Sequence, residues 1–265
     1  MKRPLALFLV AIVLVVSGTW HVHNLVGTFL WDTFRADRAA AFLSADNALL
    51  MLDIGNYYFN VGGEGVYDLE RAQFYFQKAL AADPLVPDAW HQLARIDFLN
   101  GDYPAARSKI NTQIELHSDT LTSSYYIRGL IAGFQKDYEQ AEKDFRRFLE
   151  WDPKNWAAHN DLAWIYFAQG KFSEAADIAH DGLRFDTRNP WLLTARGVAL
   201  LNLGNTKEAL ALIANAKYYA SRLDPADWQH AYPGNDPQIA PSALQEMRTV
   251  IDRNLALLVD KSAVK

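Results

Sequence analysis

Three columns of residues recur in step along this chain, and that periodicity constrains its fold more than any other feature. Ala72, Ala106, Ala141, Ala175 and Ala209 stand 34, 35, 34 and 34 positions apart. Pro84, Ser118, Pro153, Thr187 and Ser221 keep the same gaps, and Gly101, Lys136, Gly170 and Gly204 follow at 35, 34 and 34. One such spacing would carry little meaning. Three columns in register over five copies describe a repeated supersecondary unit that buries its apolar face by stacking on its neighbours.

Each copy reads as two helices. In the fourth, Leu162, Ala163 and Tyr166 form one helical stripe, and Phe172, Ala175 and Ala179 form a second. Gly170 separates them, because glycine accepts the left-handed backbone that ends a helix. Ala94, Gly129, Ala163 and Gly197 on first helices, and Ala106, Ala141, Ala175 and Ala209 on second helices, are small where two helices must approach closely. Beyond Ser221 the period stops. Residues 222–241 hold Pro225, Pro233, Pro237 and Pro241 and read as a loop. Ser242-Ala243-Leu244-Gln245 then has the form of a capping box, and Leu244, Met247, Ile251, Leu255 and Leu258 continue at helical spacing. A terminal helix of this kind, over 242–265, closes the open apolar end of a stack.

The pattern resembles the tetratricopeptide repeat (TPR) family. Trp90, Leu93, Ala94, Gly101, Tyr103 and Ala106 carry the resemblance, as do Tyr125, Gly129, Tyr138, Ala141, Phe145 and Pro153. Leu162, Ala163, Tyr166, Gly170, Phe172 and Ala175 carry it again. The fifth copy has Thr206 in place of the aromatic. The first has Asn60 in place of the small residue and Val61-Gly62-Gly63-Glu64-Gly65 across the turn. The resemblance implies an all-α helix-turn-helix solenoid, a right-handed superhelix of five helix pairs over residues 45–221. It also implies that first helices line a concave groove. The residues it places there are Tyr57; His91, Arg95, Phe98 and Leu99; Tyr126, Leu130 and Phe134; Asn160, Trp164 and Phe167; and Trp191, Thr194 and Asn202. Aromatic rings give large contact area at small entropic cost, so such a groove suits an extended or helical peptide segment with apolar anchors. The same rings would equally pack on the chain's own terminal helices. A variant of the family grips acidic C-terminal tails through Lys and Asn; His91, Arg95, Tyr126 and Leu130 stand at those places here, so that specificity is not expected.

Residues 1–31 read as a membrane anchor. Lys2 and Arg3 precede an uncharged run from Pro4 to Trp31, purely apolar from Leu5 to Val16. Leu5–Val16 alone has the length of a cleavable leader, with Val16-Ser17-Gly18 as a usable site. Cleavage would leave a greasy mature end, TWHVHNLVGTFLW, so an uncleaved transmembrane helix is expected, with Trp20 and Trp31 at the membrane–water interface. The N-terminus would then be cytoplasmic and the repeats extracytoplasmic, at the cell (inner or plasma) membrane.

Several chemistries find no support. The net charge of −5 and the lack of a Lys/Arg cluster argue against nucleic acid. No cysteine is present, which removes disulfides, thiolate metal sites and cysteine nucleophiles. His21-Val22-His23 lacks a third metal ligand, Gly62-Gly63-Glu64-Gly65 lacks the Lys-Ser/Thr of a phosphate loop, and His159 falls on a framework position. Asp97, Asp137 and Asp161 have no matched acid–base partner, and Ser173 has no His or Asp at a useful spacing. No cofactor, metal or catalytic residue is expected. The expected role is a membrane-tethered scaffold that binds a protein partner during assembly of a cell-envelope complex of secretion, pilus or surface-polymer type. The alternatives are a homo-oligomer using Trp156, Trp191 and Trp228, or a non-catalytic subunit of a membrane enzyme. Trp228 and Tyr232 would either form a second contact patch or pin the proline-rich loop.

Overall fold

A computed structural model of the protein describes residues 20–63, 65–117, 122–231 and 234–263. The chain forms two compact units, one running to Ile96 and the other starting at Asp97. Among the described residues every regular element of both is a helix.

The N-terminal unit opens with α1 (Trp20–Phe34), α2 (Asp37–Leu43), α3 (Ala48–Asn56) and α4 (Leu69–Ala82). Arg35, left-handed at φ 50°, lets the chain fold back between α1 and α2. Gly27 makes that hairpin possible, since a Cβ there would stand 2.0 Å from the Ser44 hydroxyl. α1 is part of this folded unit. Trp31 is 1 % exposed, its indole donates to the Asp53 carboxylate at 2.5 Å, and its ring meets Tyr57 edge-on at 5.1 Å. This corrects the expected interfacial place of Trp31: it is a core residue, because its N–H has a carboxylate acceptor within the unit and its ring an aromatic wall. No helix among the described residues is long and apolar enough to cross a membrane. The apolar run Leu5–Val16 lies outside the described residues.

α3 ends in a π-helical turn over Tyr57–Val61, closed by the Gly62 N–H donating to the Tyr57 carbonyl. The wider turn is the physical form of the departure noted at Asn60 and the glycine-rich stretch. Tyr58 stacks on Tyr75 at 6.2 Å, and the Tyr75 hydroxyl donates to Asp37 at 2.9 Å. Burial and the Asp37 carboxylate both hold the Tyr75 phenol above its ordinary range. α5 (Ala89–Leu99) begins in this unit and passes the boundary.

The C-terminal unit continues with α6 (Tyr103–His117), α7 (Ser123–Phe134), α8 (Tyr138–Trp151), α9 (Trp156–Ala168), α10 (Phe172–Leu183), α11 (Pro190–Asn202) and α12 (Thr206–Ala220). The turns inside successive pairs repeat one another atom for atom. The N–H groups of Gly101, Lys136, Gly170 and Gly204 bond the carbonyls of Phe98, Gly133, Phe167 and Leu201, and each following N–H reaches five residues back. This closes the first helix of each pair with a double bond that needs a left-handed residue. The glycines take φ between 73° and 82°, while Lys136 adopts the same conformation at 63° with a side chain. Asp102, Asp137 and Asn205 then cap the second helices through the N–H groups of Ala105, Gln140 and Glu208.

The small-residue columns are where the helices of a pair meet. A Cβ on Gly129 would lie 3.0 Å from the Phe145 ring, and one on Gly197 would lie 2.6 Å from Ile213. Asp144 is buried and holds Arg128 in a two-point contact, 2.8 Å on each oxygen, while the same guanidinium reaches Asn111 on α6.

After α12 come α13 (Pro225–Ala231) and a single 3₁₀ turn over Pro237–Ile239, where the sequence suggested an unstructured loop. Asp224 and Asp227 cap α13 reciprocally, each accepting the other's N–H. α14 (Ala240–Ala263) starts two residues before the expected capping box, with Ser242 donating back to the Ile239 carbonyl. Leu244, Ile251 and Leu258 are buried: Ile251 and Leu258 cover the α11–α12 core and Leu244 packs with Trp228, so α14 closes the apolar end of the stack.

Candidate functional site

First helices of the C-terminal unit carry a row of rings. Phe98 meets Phe134 edge-on at 5.2 Å, and Phe134 meets Trp164 at 5.5 Å. Tyr103, from the framework, fills the space between Phe98 and Phe134. Phe134 is 50 % exposed and Trp164 39 %. Gly133 lets the Trp164 ring lie against α7, since a Cβ there would come within 2.7 Å of it. The row draws on three different positions of the first helix, since Phe98 and Phe134 stand 36 residues apart and Phe134 and Trp164 stand 30, so it is a product of packing and not of the repeat.

At its far end the row opens into a cleft of about 530 Å³ between α9, α11 and α14. Trp164 and Phe167 on α9, Trp191 on α11 and Trp228 on α13 supply most of the wall. α14 presents Met247 and Val250 on the opposite side. Its polar lining residues are Asn160, Thr194 and Glu246. Asn160 donates to Asp161 at 3.2 Å, and the Thr194 hydroxyl donates to the Pro190 carbonyl at 2.7 Å. Trp191 is held by stacking on Trp156 at 5.0 Å, and Trp228 is 7 % exposed, packed on Ala240 and Leu244. Trp156 and Trp191 thus face each other, and Trp228 pins the proline-rich segment while lending an edge to the cleft.

Asn160, Trp164, Phe167 and Thr194 converge on this cleft, and Phe98 and Phe134 extend it as the aromatic row. Tyr126 is placed differently. Its ring packs on Phe145 and Phe148, and its hydroxyl donates to Asp161 at 2.6 Å, which ties α7 to α9. Burial pushes the Asp161 carboxyl up to about 6, against the opposing hydrogen bonds from Tyr126 and Asn160. Leu130 packs into the core beside it, and Asn202 donates to the Val198 carbonyl at the solvent edge.

Tyr57, His91 and Arg95 are side chains of the N-terminal unit. Tyr57 lies against Trp31 and under the Arg35 guanidinium at 5.2 Å. Arg95 sits over Phe59 at 4.6 Å and donates to Gln92. His91 is buried, and burial together with the Arg95 charge lowers its imidazole to about 3, so it is neutral at ordinary pH. His159 is buried with Nε2 against the Pro153 carbonyl at 3.0 Å, the arrangement of a framework histidine.

The wall from α14 was not visible in the sequence. Leu244, Met247, Ile251, Leu255 and Leu258 read as one core stripe, yet Met247, flanked by Ala243 and Val250 at helical spacing, also lines the cleft. Two adjacent apolar stripes on a terminal helix were the available signal.

Family models described as tetratricopeptide repeat match residues 68–114, 135–190 and 190–215. Tetratricopeptide repeat protein 6 of Homo sapiens is 27 % identical over 143 residues, covering 54 % of this chain and 27 % of that protein. Cellulose synthase 1 operon protein C of Komagataeibacter xylinus is 32 % identical over 135 residues, covering 45 % of this chain and 10 % of that protein. The chain therefore spans about a quarter or less of the length of these curated relatives. Among solved structures, YrrB, described as a TPR protein with an unusual peptide-binding site, superposes with a TM-score of 0.56 at 17 % identity, over 71 % of this chain and 93 % of that one. The matching models and the recurrent turn geometry show that the chain carries tetratricopeptide repeats, and the solved structures share their fold.

Proposed function

We propose that the protein is a non-catalytic scaffold whose C-terminal unit captures a peptide segment of a partner protein in the cleft between α9, α11 and α14. The observation that carries this is the convergence of Trp164, Phe167, Trp191 and Trp228 on one open space of about 530 Å³. Large rings with few polar groups are the composition of binding hot spots. α14 packs on the end of the stack and leaves this space open. The peptide-binding site that YrrB is described as having supports the same use of this fold.

The partner system proposed is a cell-envelope complex of surface-polymer type, supported by similarity to a protein named for a cellulose synthase operon. Leu5–Val16 delivers the chain to the cell membrane, with the repeats on its outer side. The burial of Leu30 and Trp31 shortens the segment available to a membrane, while Leu25 and Phe29 stay exposed. The mass of the mature N-terminus separates an anchor from a leader; an intact N-terminus in the cytoplasmic fraction contradicts membrane delivery.

Mild-detergent purification of the full chain, beside a Trp164→Ala, Phe167→Ala variant, tests the scaffold reading. A partner retained by the parent and lost by a variant of equal thermal stability supports it. A partner bound equally by both, or none at all, contradicts it.

A further inference from the structure

We infer that the cleft between α9, α11 and α14 selects a cationic apolar segment, one that places a Lys or Arg among its apolar anchors. The inference rests on the reading of this cleft as a peptide site and adds the chemistry of its occupant.

The charge pattern of the cleft carries the argument. Among the described residues no Lys or Arg lines it, and Glu246 is its only charged residue. Glu246 is exposed, and no ion pair or hydrogen bond among the described residues engages it. The nearest basic side chain along α14, Arg248, is turned away: it donates to the carbonyls of Ala220 and Leu223 at 3.1 and 2.7 Å. The neutral polar groups point the same way. Thr194 has given its hydroxyl proton to Pro190, and Asn160 has given an amide proton to Asp161. Among the groups at the cleft, Asn160 Oδ1, Thr194 Oγ1 and the Glu246 carboxylate are acceptors, and Glu246 is the one that carries charge. These take a ligand that brings donors, and an ammonium or guanidinium brings three or five. The partly exposed Trp164 ring adds to the preference, because the face of an indole attracts a cation and repels a carboxylate. An acidic peptide would meet one fixed negative charge, an electron-rich indole and no donor from a basic residue.

The test uses the full chain and three synthetic amphipathic 15-residue peptides with the same Leu and Phe anchors, carrying two Lys, two Gln or two Glu between them, with binding read by fluorescence anisotropy. The expected result is a preference of about tenfold for the Lys peptide over the Glu peptide, combining an exposed ion pair with cation–π attraction. Glu246→Gln should cut that preference to about threefold, and Glu246→Lys should abolish or invert it. Raising the salt should weaken the preference and leave the Gln peptide little changed. Equal binding of all three peptides, insensitive to Glu246 but lost in Trp164→Ala, overturns the charge inference and leaves the cleft reading standing. Binding that ignores Trp164→Ala, or no binding by any peptide, overturns both. Glu246 is exposed and unpaired, so its substitutions leave the fold intact, which circular dichroism checks.

Discussion

The indole of Trp31 donates to the carboxylate of Asp53 across 2.5 Å, joining α1 to α3 inside a nest formed with Tyr57 and Tyr58. That contact makes the segment before the first repeat a structural part of the N-terminal unit. Trp31→Ala should lower stability by about 3–5 kcal/mol, the range for emptying a buried aromatic site. Trp31→Phe should keep the packing and lose roughly 1 kcal/mol with the hydrogen bond. Urea unfolding monitored by far-ultraviolet dichroism measures both; a change within error for Trp31→Ala would contradict the placement of α1.

The approach of α11 to α12 depends on the missing side chain of Gly197, where a Cβ would fall 2.6 Å from Ile213. Gly197→Val should destabilise the C-terminal unit by about 1–3 kcal/mol through overpacking. The companion change Ile213→Ala should recover part of that loss in a double-mutant cycle, since the two sites share one space.

Lys136 sits at φ 63° where Gly101, Gly170 and Gly204 occupy the same turn. Left-handed backbone costs a residue with a Cβ about 1–2 kcal/mol, and glycine's extra freedom when unfolded takes back about half. Lys136→Gly is therefore expected to stabilise the chain by about 0.5–1 kcal/mol, raising the urea midpoint. A lower midpoint would mean that the lysine makes a contact worth more than the strain.

Asp161 gives the protein a pH signature. Its carboxyl is raised from 3.8 to about 6 by burial. Between those values the folded state holds a proton that the unfolded chain has released, so stability falls as pH rises from about 4 to about 6. The size is on the order of 2 kcal/mol after allowance for its partial contact with water. Asp161→Asn keeps an oxygen to accept the Tyr126 hydroxyl and should remove that slope. A slope unchanged in this variant would assign it to other groups.

The repeated columns made the helical pairs legible in the sequence, because Gly129, Gly197 and the turn glycines do the same mechanical job in each copy. Trp164 and Phe167 stood out for the complementary reason: no framework position requires them. Tyr126 shows the limit of that logic. It occupies a groove position by count, yet Asp161 and Phe148 engage it inside the protein, and neither contact is periodic. The place of Trp31 was misread because an uncharged run looks the same whether lipid or protein covers it; the acceptor that settles Trp31 lies 22 residues away. The α14 wall was hidden because apolar side chains facing a cleft and those facing a core share one spacing.

The central claim is that the α9–α11–α14 cleft holds a partner segment. A photo-crosslinking amino acid at Val250, inside the cleft, compared with one at Trp151, an exposed ring on α8, tests it in intact cells. The account predicts a discrete protein adduct from position 250, absent from position 151 and lost when Trp164 is replaced by Ala. The same adduct from both positions, or one that survives Trp164→Ala, would contradict it.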